Sequence, residues 1–213
     1  MLSTIAIESL KHFVSKEALN IDGFGKKIVE KFWKLKLVRF PQDIFSLDFE
    51  KINKLDGWGE LSVSNLKHAI EKSKKTSLGK FIYSLGIRHI GQENAKLLAE
   101  HLKNIDKFYK LSQIDDIENL LNIDGIGETQ IKSIRNFFSN KINLTILEKL
   151  IKNMKISEEK FYQKDGILKN KTFMFTGKLE GMSRAEAKSL VEKNSGKIKI
   201  RTGLSLGNPG GEK

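Results

Sequence analysis

The chain has 213 residues, 39% of them hydrophobic, which is enough for one large domain or two small ones with an ordinary core. Its 38 Lys and Arg against 26 Asp and Glu leave a formal charge of +12 at pH 7, an excess that must face water or an anion. The lack of Cys excludes a disulfide scaffold, a thiol nucleophile and any Cys-ligated zinc or iron–sulfur site. No apolar run approaches the roughly 18 residues of a membrane span. The opening MLSTIAIESLK lacks the order of a secretory signal, so a soluble intracellular protein is expected. The charge alone fits either a solvated Lys-rich surface or a polyanionic partner, since Arg occurs only at Arg39, Arg88, Arg135, Arg184 and Arg201.

In chain order, Ser15-Lys-Glu-Ala reads as a capped helix start ahead of the phrase IDGFG, Ile21–Gly25. Val29 and Phe32 then keep a helical period that breaks at Lys36, and Pro41 separates this unit from the next. The apolar-periodic stretch Phe49–Leu55 leads into LDGWG, Leu55–Gly59, followed by Val63, Leu66 and Ile70 on one helical face. Ser77–Leu85 leads into the looser GIRHIG, Gly86–Gly91, followed by Ala95, Leu98 and Leu102. Ile114–Leu121 leads into IDGIG, Ile123–Gly127, followed by Ile131, Ile134 and Phe138. A unit of helix, tight Gly-containing hairpin and helix thus recurs about every 34 residues, in one register. No strand pattern is expected before about residue 170.

Ser157–Lys169 is polar and reads as a linker. Thr172-Phe-Met-Phe then reads as a short strand ending at a Thr176-Gly177 turn. Ser183–Asn194 reads as a helix with a Ser183/Glu186 capping box, and Ser195-Gly196-Lys197 turns into a second strand. The expected fold is mainly α, with four tandem hairpin units over residues 1–155 and a linker over 156–170. An α/β strand–helix–strand segment over 171–198 and a disordered tail over 199–213 complete it.

The hairpins carry the chemistry. Glycine permits φ > 0 and close approach of a ligand to the backbone, and the turn delivers the chain to a helix N-terminus with unpaired N–H groups. Those groups favour an anion, and a nucleic-acid phosphate is the natural one for a chain of this charge. Repeated hairpins would grip phosphates while reading no base edges. Trp58 reads as a packed turn residue, and the run Lys72-Ser-Lys-Lys75 as a solvated helix end. His12, His68, His89 and His101 have no metal-ligand spacing.

These units resemble helix-hairpin-helix motifs. LKHFVSKEALNIDGFG (Leu10–Gly25), LGIRHIGQENAKLLAEHL (Leu85–Leu102) and KTFMFTGKLEGMSRAEAK (Lys171–Lys188) are similar, in wording and order, to the C-terminal part of bacterial NAD-dependent DNA ligases. The likeness runs over about residues 8–198, and its last stretch resembles the opening of a BRCT domain, here incomplete.

The resemblance implies contacts to double-stranded DNA, preferably nicked, across the minor groove. The residues it assigns are Gly23, Gly25, Lys26, Gly57, Gly59, Gly86, Arg88, Gly91, Gly125 and Gly127, with a monovalent cation held by hairpin carbonyls. NAD, Mg²⁺ and Zn²⁺ are implied only for the intact ligase, whose N-terminal domains would be partners, and no ligase activity is expected from this chain alone. The implied setting is the bacterial cytoplasm and nucleoid, in DNA replication and repair, with no membrane association. Lys54-Leu-Asp-Gly57 matches the pattern of an adenylated lysine, but it stands in register with the hairpins, where Asn20 and Asn122 occupy the same place. Two other readings stay open: a stand-alone repair accessory protein binding branched DNA, and a vestigial protein-interaction module.

Overall fold

The computed structural model describes residues 2–113, 115–158, 166–175, 181–183, 186, 187, 190, 191 and 194–198. The chain is mainly helical and divides into two units, Met1–Glu159 and Lys160–Lys213.

The first unit opens with α1 (Leu2–Val14) and α2 (Lys26–Lys34). A 3₁₀ helix (Pro41–Ser46), α3 (Phe49–Asn53) and α4 (Glu60–Ser73) follow. Next come the short strand β1 (Lys75–Ser77), α5 (Leu78–Ser84), α6 (Gln92–Leu102) and α7 (Ile105–Lys110). A second 3₁₀ helix (Asp115–Asn122), α8 (Glu128–Ser139), α9 (Lys141–Asn153) and β2 (Lys155–Ser157) complete it.

The repeated apolar positions build the core. Val29, Phe32, Leu66, Ile70, Ala95, Leu98, Leu102, Ile131, Ile134 and Phe138 are all buried, and Val63 is half-buried. Phe32 is wholly buried, with its ring centroid 5.4 Å from Phe24 and 5.6 Å from Trp58. The break in period at Lys36 is a helix stop. Lys36 takes φ +59°, and the Leu37 N–H returns to the Phe32 carbonyl at 2.9 Å, which satisfies an orphan carbonyl at the end of α2.

Four expectations are corrected here. Ser15 does not start a helix: α1 has already ended, and the Ser15 carbonyl accepts from Ala18 and Asn20 to close one isolated turn. In the segment expected at Ile114–Leu121, the described residues form a 3₁₀ helix, Asp115–Asn122, rather than an α-helix. Strands also exist well before residue 170, since β1 and β2 pair in parallel with Lys75 opposite Lys155, Thr76 opposite Ile156 and Ser77 opposite Ser157. Three residues are too few for alternation to show, and the pairing joins segments far apart in sequence. Ile156 and Ser157, expected in the linker, lie in β2.

In the second unit, β3 (Thr172–Phe173) pairs in parallel with β4 (Lys197–Ile198). A parallel pair needs a crossover. Glu186, Ala187, Leu190 and Val191 are helical between the strands, with Ala187 and Val191 buried. The capping box is present: the Ser183 N–H donates to Glu186 Oε2 at 2.7 Å, and the Glu186 N–H donates to Ser183 Oγ at 3.1 Å. The bond from the Ser183 backbone, and then that from its hydroxyl, hold the Glu186 carboxyl below the usual range. The Thr176-Gly177 turn, residues 159–165 and the tail 199–213 lie outside the described residues.

Candidate nucleic-acid interface

Four turns share one geometry. In each, the N–H of the fourth residue bonds to the carbonyl of the first. The bonds run from Phe24 to Ile21 (3.1 Å), Trp58 to Leu55 (3.1 Å), Ile90 to Ile87 (3.0 Å) and Ile126 to Ile123 (3.0 Å). The third residue takes a left-handed backbone, as a type II turn requires: Gly23 at φ +77°, Gly57 at +80°, His89 at +62° and Gly125 at +93°. The fourth residue is an apolar knob, buried at Phe24, Ile90 and Ile126 and half-buried at Trp58, which packs on Phe32.

The next residue is the second glycine of each phrase. Gly25, Gly59, Gly91 and Gly127 are the N-caps of α2, α4, α6 and α8, and all are exposed. Gly127 has φ −113° and so needs no left-handed backbone, unlike Gly125. A Cβ at Gly25, Gly59 or Gly91 would meet nothing within 4 Å. Neither backbone strain nor internal packing demands glycine there, which leaves room for an outside group.

The third turn corrects one pairing. Gly86, at φ +64°, is not the counterpart of Gly23; it stands just before the turn, as Asn20 does at φ +51°. The counterpart of Gly23 is His89. Counting back two residues from the last glycine of each phrase would have found it. Gly86 is supported from α1, where His12 Nε2 donates to the Tyr83 carbonyl at 2.7 Å, the same carbonyl that accepts the Gly86 N–H.

His89 is a left-handed non-glycine residue, so it tests the turn directly. Replacing it by Val should cost about 1–2 kcal/mol. His89→Gly should keep the melting temperature of the parent within a few degrees, read by circular dichroism.

The turns then fall into two kinds. In the second and fourth, the N-cap N–H is already taken: Gly59 donates to Ser62 Oγ at 2.9 Å and Gly127 to Gln130 Oε1 at 3.1 Å. In the first and third, no acceptor among the described residues takes the N–H of Gly25 or Gly91. Basic side chains stand at these open turns, Lys26 in the first turn of α2 and Arg88 at the second position of the third hairpin, both exposed. Acidic residues stand at turns of both kinds, Asp22 and Glu93 at the open ones and Glu60 and Glu128 at the capped ones.

Between the first two hairpins lies a groove bordered by Asp22, Gly23, Asp56 and Trp58, crossed by a bond from Lys31 Nζ to the Asp56 carbonyl at 2.7 Å. Lys54 is the exposed C-cap of α3. Among the described residues, no group of three or more His, Asp or Glu could hold a metal ion, and no helix is long and apolar enough to cross a membrane.

Residues 80–147, which contain the third and fourth turns, match the family described as helix-hairpin-helix motif. The chain as a whole is similar to proteins named DNA ligase. It is 66% identical over 194 residues to that of Pelagibacter ubique (strain HTCC1062), covering 91% of this chain and 29% of the relative. It is 43% identical over 187 residues to that of Wolbachia pipientis subsp. Culex pipiens (strain wPip), covering 85% and 28%. With that of Rickettsia rickettsii (strain Sheila Smith) the figures are 40% over 205 residues, covering 91% and 30%. The likeness to DNA ligases read from the sequence is borne out over nearly the whole chain, which spans about three tenths of the length of these relatives.

Proposed function

We propose that this chain serves as the C-terminal part of a bacterial NAD-dependent DNA ligase and grips duplex DNA, preferably nicked, during replication and repair. The observation that carries this reading is the repeated exposed turn ending in an N-cap glycine, in a chain of net charge +12. Four such turns act as four helix-hairpin-helix motifs whose backbone N–H groups meet phosphates across the minor groove. Backbone N–H groups carry no base information, so binding through them is independent of sequence.

The carbonyls of Ile21, Leu55, Ile87 and Ile123 each accept one turn bond and keep a second lone pair, which suits a monovalent cation. NAD, Mg²⁺ and Zn²⁺ belong in this reading to other parts of the intact ligase; for Zn²⁺, the given sequence has no Cys to supply a thiolate ligand. The strand–helix–strand of the second unit stands as the start of a BRCT domain.

Fluorescence anisotropy with labelled duplexes tests the reading. Binding should favour nicked over intact duplex, stay unchanged when the sequence is scrambled, and weaken steeply with salt as counterions return. Arg88 is exposed and makes no ion pair among the described residues. Arg88→Ala should therefore reduce the slope of log K against log salt by about one, with no change in melting temperature. A flat salt dependence would refute phosphate binding, and a preference for branched over nicked duplex would favour an accessory repair role.

A further inference from the structure

A second basic surface lies apart from the turn tips. A groove of about 570 Å³ opens where the C-terminal end of α4, β1, the start of α5 and β2 meet residues 18–20. Lys72, Lys75, Lys80 and Lys155 line it, all exposed, and among the described residues none of them is ion-paired and no carboxylate lines the groove. Lys74, between the first two, is by contrast paired with Glu71. The hydroxyl-bearing residues Thr76, Ser77 and Ser157 stand among the lysines.

The strand register sharpens this. Lys75 and Lys155 are direct partners in the parallel β1–β2 pair, on strands about 4.8 Å apart. Like charges placed opposite one another destabilise a strand pair, and an anion lying between them removes that cost. Such a pair, with no counter-charge lining the groove among the described residues, is a site short of an anion.

We propose that this groove holds phosphates of a nucleic-acid backbone and extends the DNA footprint beyond the hairpins. The proposal rests on the DNA-binding reading above. Two features favour a polymer over a free anion. Residues 18–20 wall the groove and run directly into the first hairpin turn, so groove and turn are continuous. The 14-residue helix α4 carries the second hairpin at its N-terminus and the groove at its other end, about 20 Å away. Each strand of a duplex presents about six phosphates over that length.

The test uses the full chain, the double variant Lys75→Gln/Lys155→Gln and, separately, Lys80→Gln, which lies outside the strand pair should the double variant misfold. Anisotropy with a nicked duplex, repeated over a salt series, should show the slope of log K against log salt falling by about two for the double variant and about one for Lys80→Gln. Without DNA and at low salt, the double variant should melt above the parent, because the opposed charges are gone. If the parent binds with a steep slope and the variants match it, the groove lies outside the footprint and the proposal fails while the hairpin reading stands. If the parent itself shows no salt-dependent binding, the hairpin reading fails too. Inorganic pyrophosphate, titrated at constant ionic strength, separates the sources of phosphate. Amide shifts at Lys75 and Lys155 with pyrophosphate, together with an unchanged DNA slope, would assign the groove to a small free anion and overturn the nucleic-acid assignment.

Discussion

Replacing Gly25 and Gly91 together by Val should lower affinity for nicked duplex by at least tenfold, while the protein stays folded. Both residues have extended backbones (φ −70° and −79°) that Val adopts without strain, and a Cβ at either meets nothing in the protein. The stability cost is that of a poorer N-cap, up to about 1 kcal/mol at each site. What Val changes is the approach of an outside group to an open N–H. A charge-assisted bond lost at each turn is worth roughly 1.5–3 kcal/mol, and 1.4 kcal/mol is tenfold in affinity. The paired change Gly59→Val and Gly127→Val should lose less, because Ser62 and Gln130 already occupy those N–H groups. Gly125→Val is the structural control. It forces a branched residue to φ +93° with its Cβ 3.0 Å from Leu97 Cδ1, so it should lose stability first. If the folded Gly25→Val/Gly91→Val protein bound like the parent, the hairpins would be turns and nothing more.

Phe32→Ala should be the most damaging single change to the fold. Phe32 is wholly buried and touches the knobs of two hairpins, Phe24 of the first and Trp58 of the second. Truncation of a buried Phe costs about 3–5 kcal/mol, counting transfer and cavity. In a domain of this size that lowers Tm by roughly 6–20 °C. Because the lost packing lies under both turns, duplex affinity should fall along with thermal stability. A melting curve within 2 °C of the parent would show that the two hairpins do not share this core.

The sequence by itself determined the repeat. Apolar residues at fixed steps after each hairpin glycine, such as Ala95, Leu98 and Leu102, mark a helix face, and that face is buried because a 3.6-residue period can be satisfied locally. It also determined that the hairpin glycines permit a left-handed turn, as Gly23, Gly57 and Gly125 take, and that Ser183 and Glu186 cap each other, since each depends on residues within a few positions; that Trp58 packs was legible too, though its partner Phe32 lies 26 residues away. Tertiary structure decided the rest. Ser15 fails as a helix start because α1 ends just before it and its carbonyl closes a turn. His89 rather than Gly86 holds the third turn because it stands two residues before Gly91, a spacing that is local; what the tertiary structure adds is His12 of α1 bonded to the Tyr83 carbonyl beside Gly86. The strands β1 and β2 form only when residues 75–77 meet residues 155–157, and no short window of sequence carries that meeting. The same pairing sets Lys75 against Lys155 and turns what reads as a solvated helix end into one wall of a groove. Such pairings are read from long-range packing, because their residues share no local period and lie about 80 positions apart in the chain.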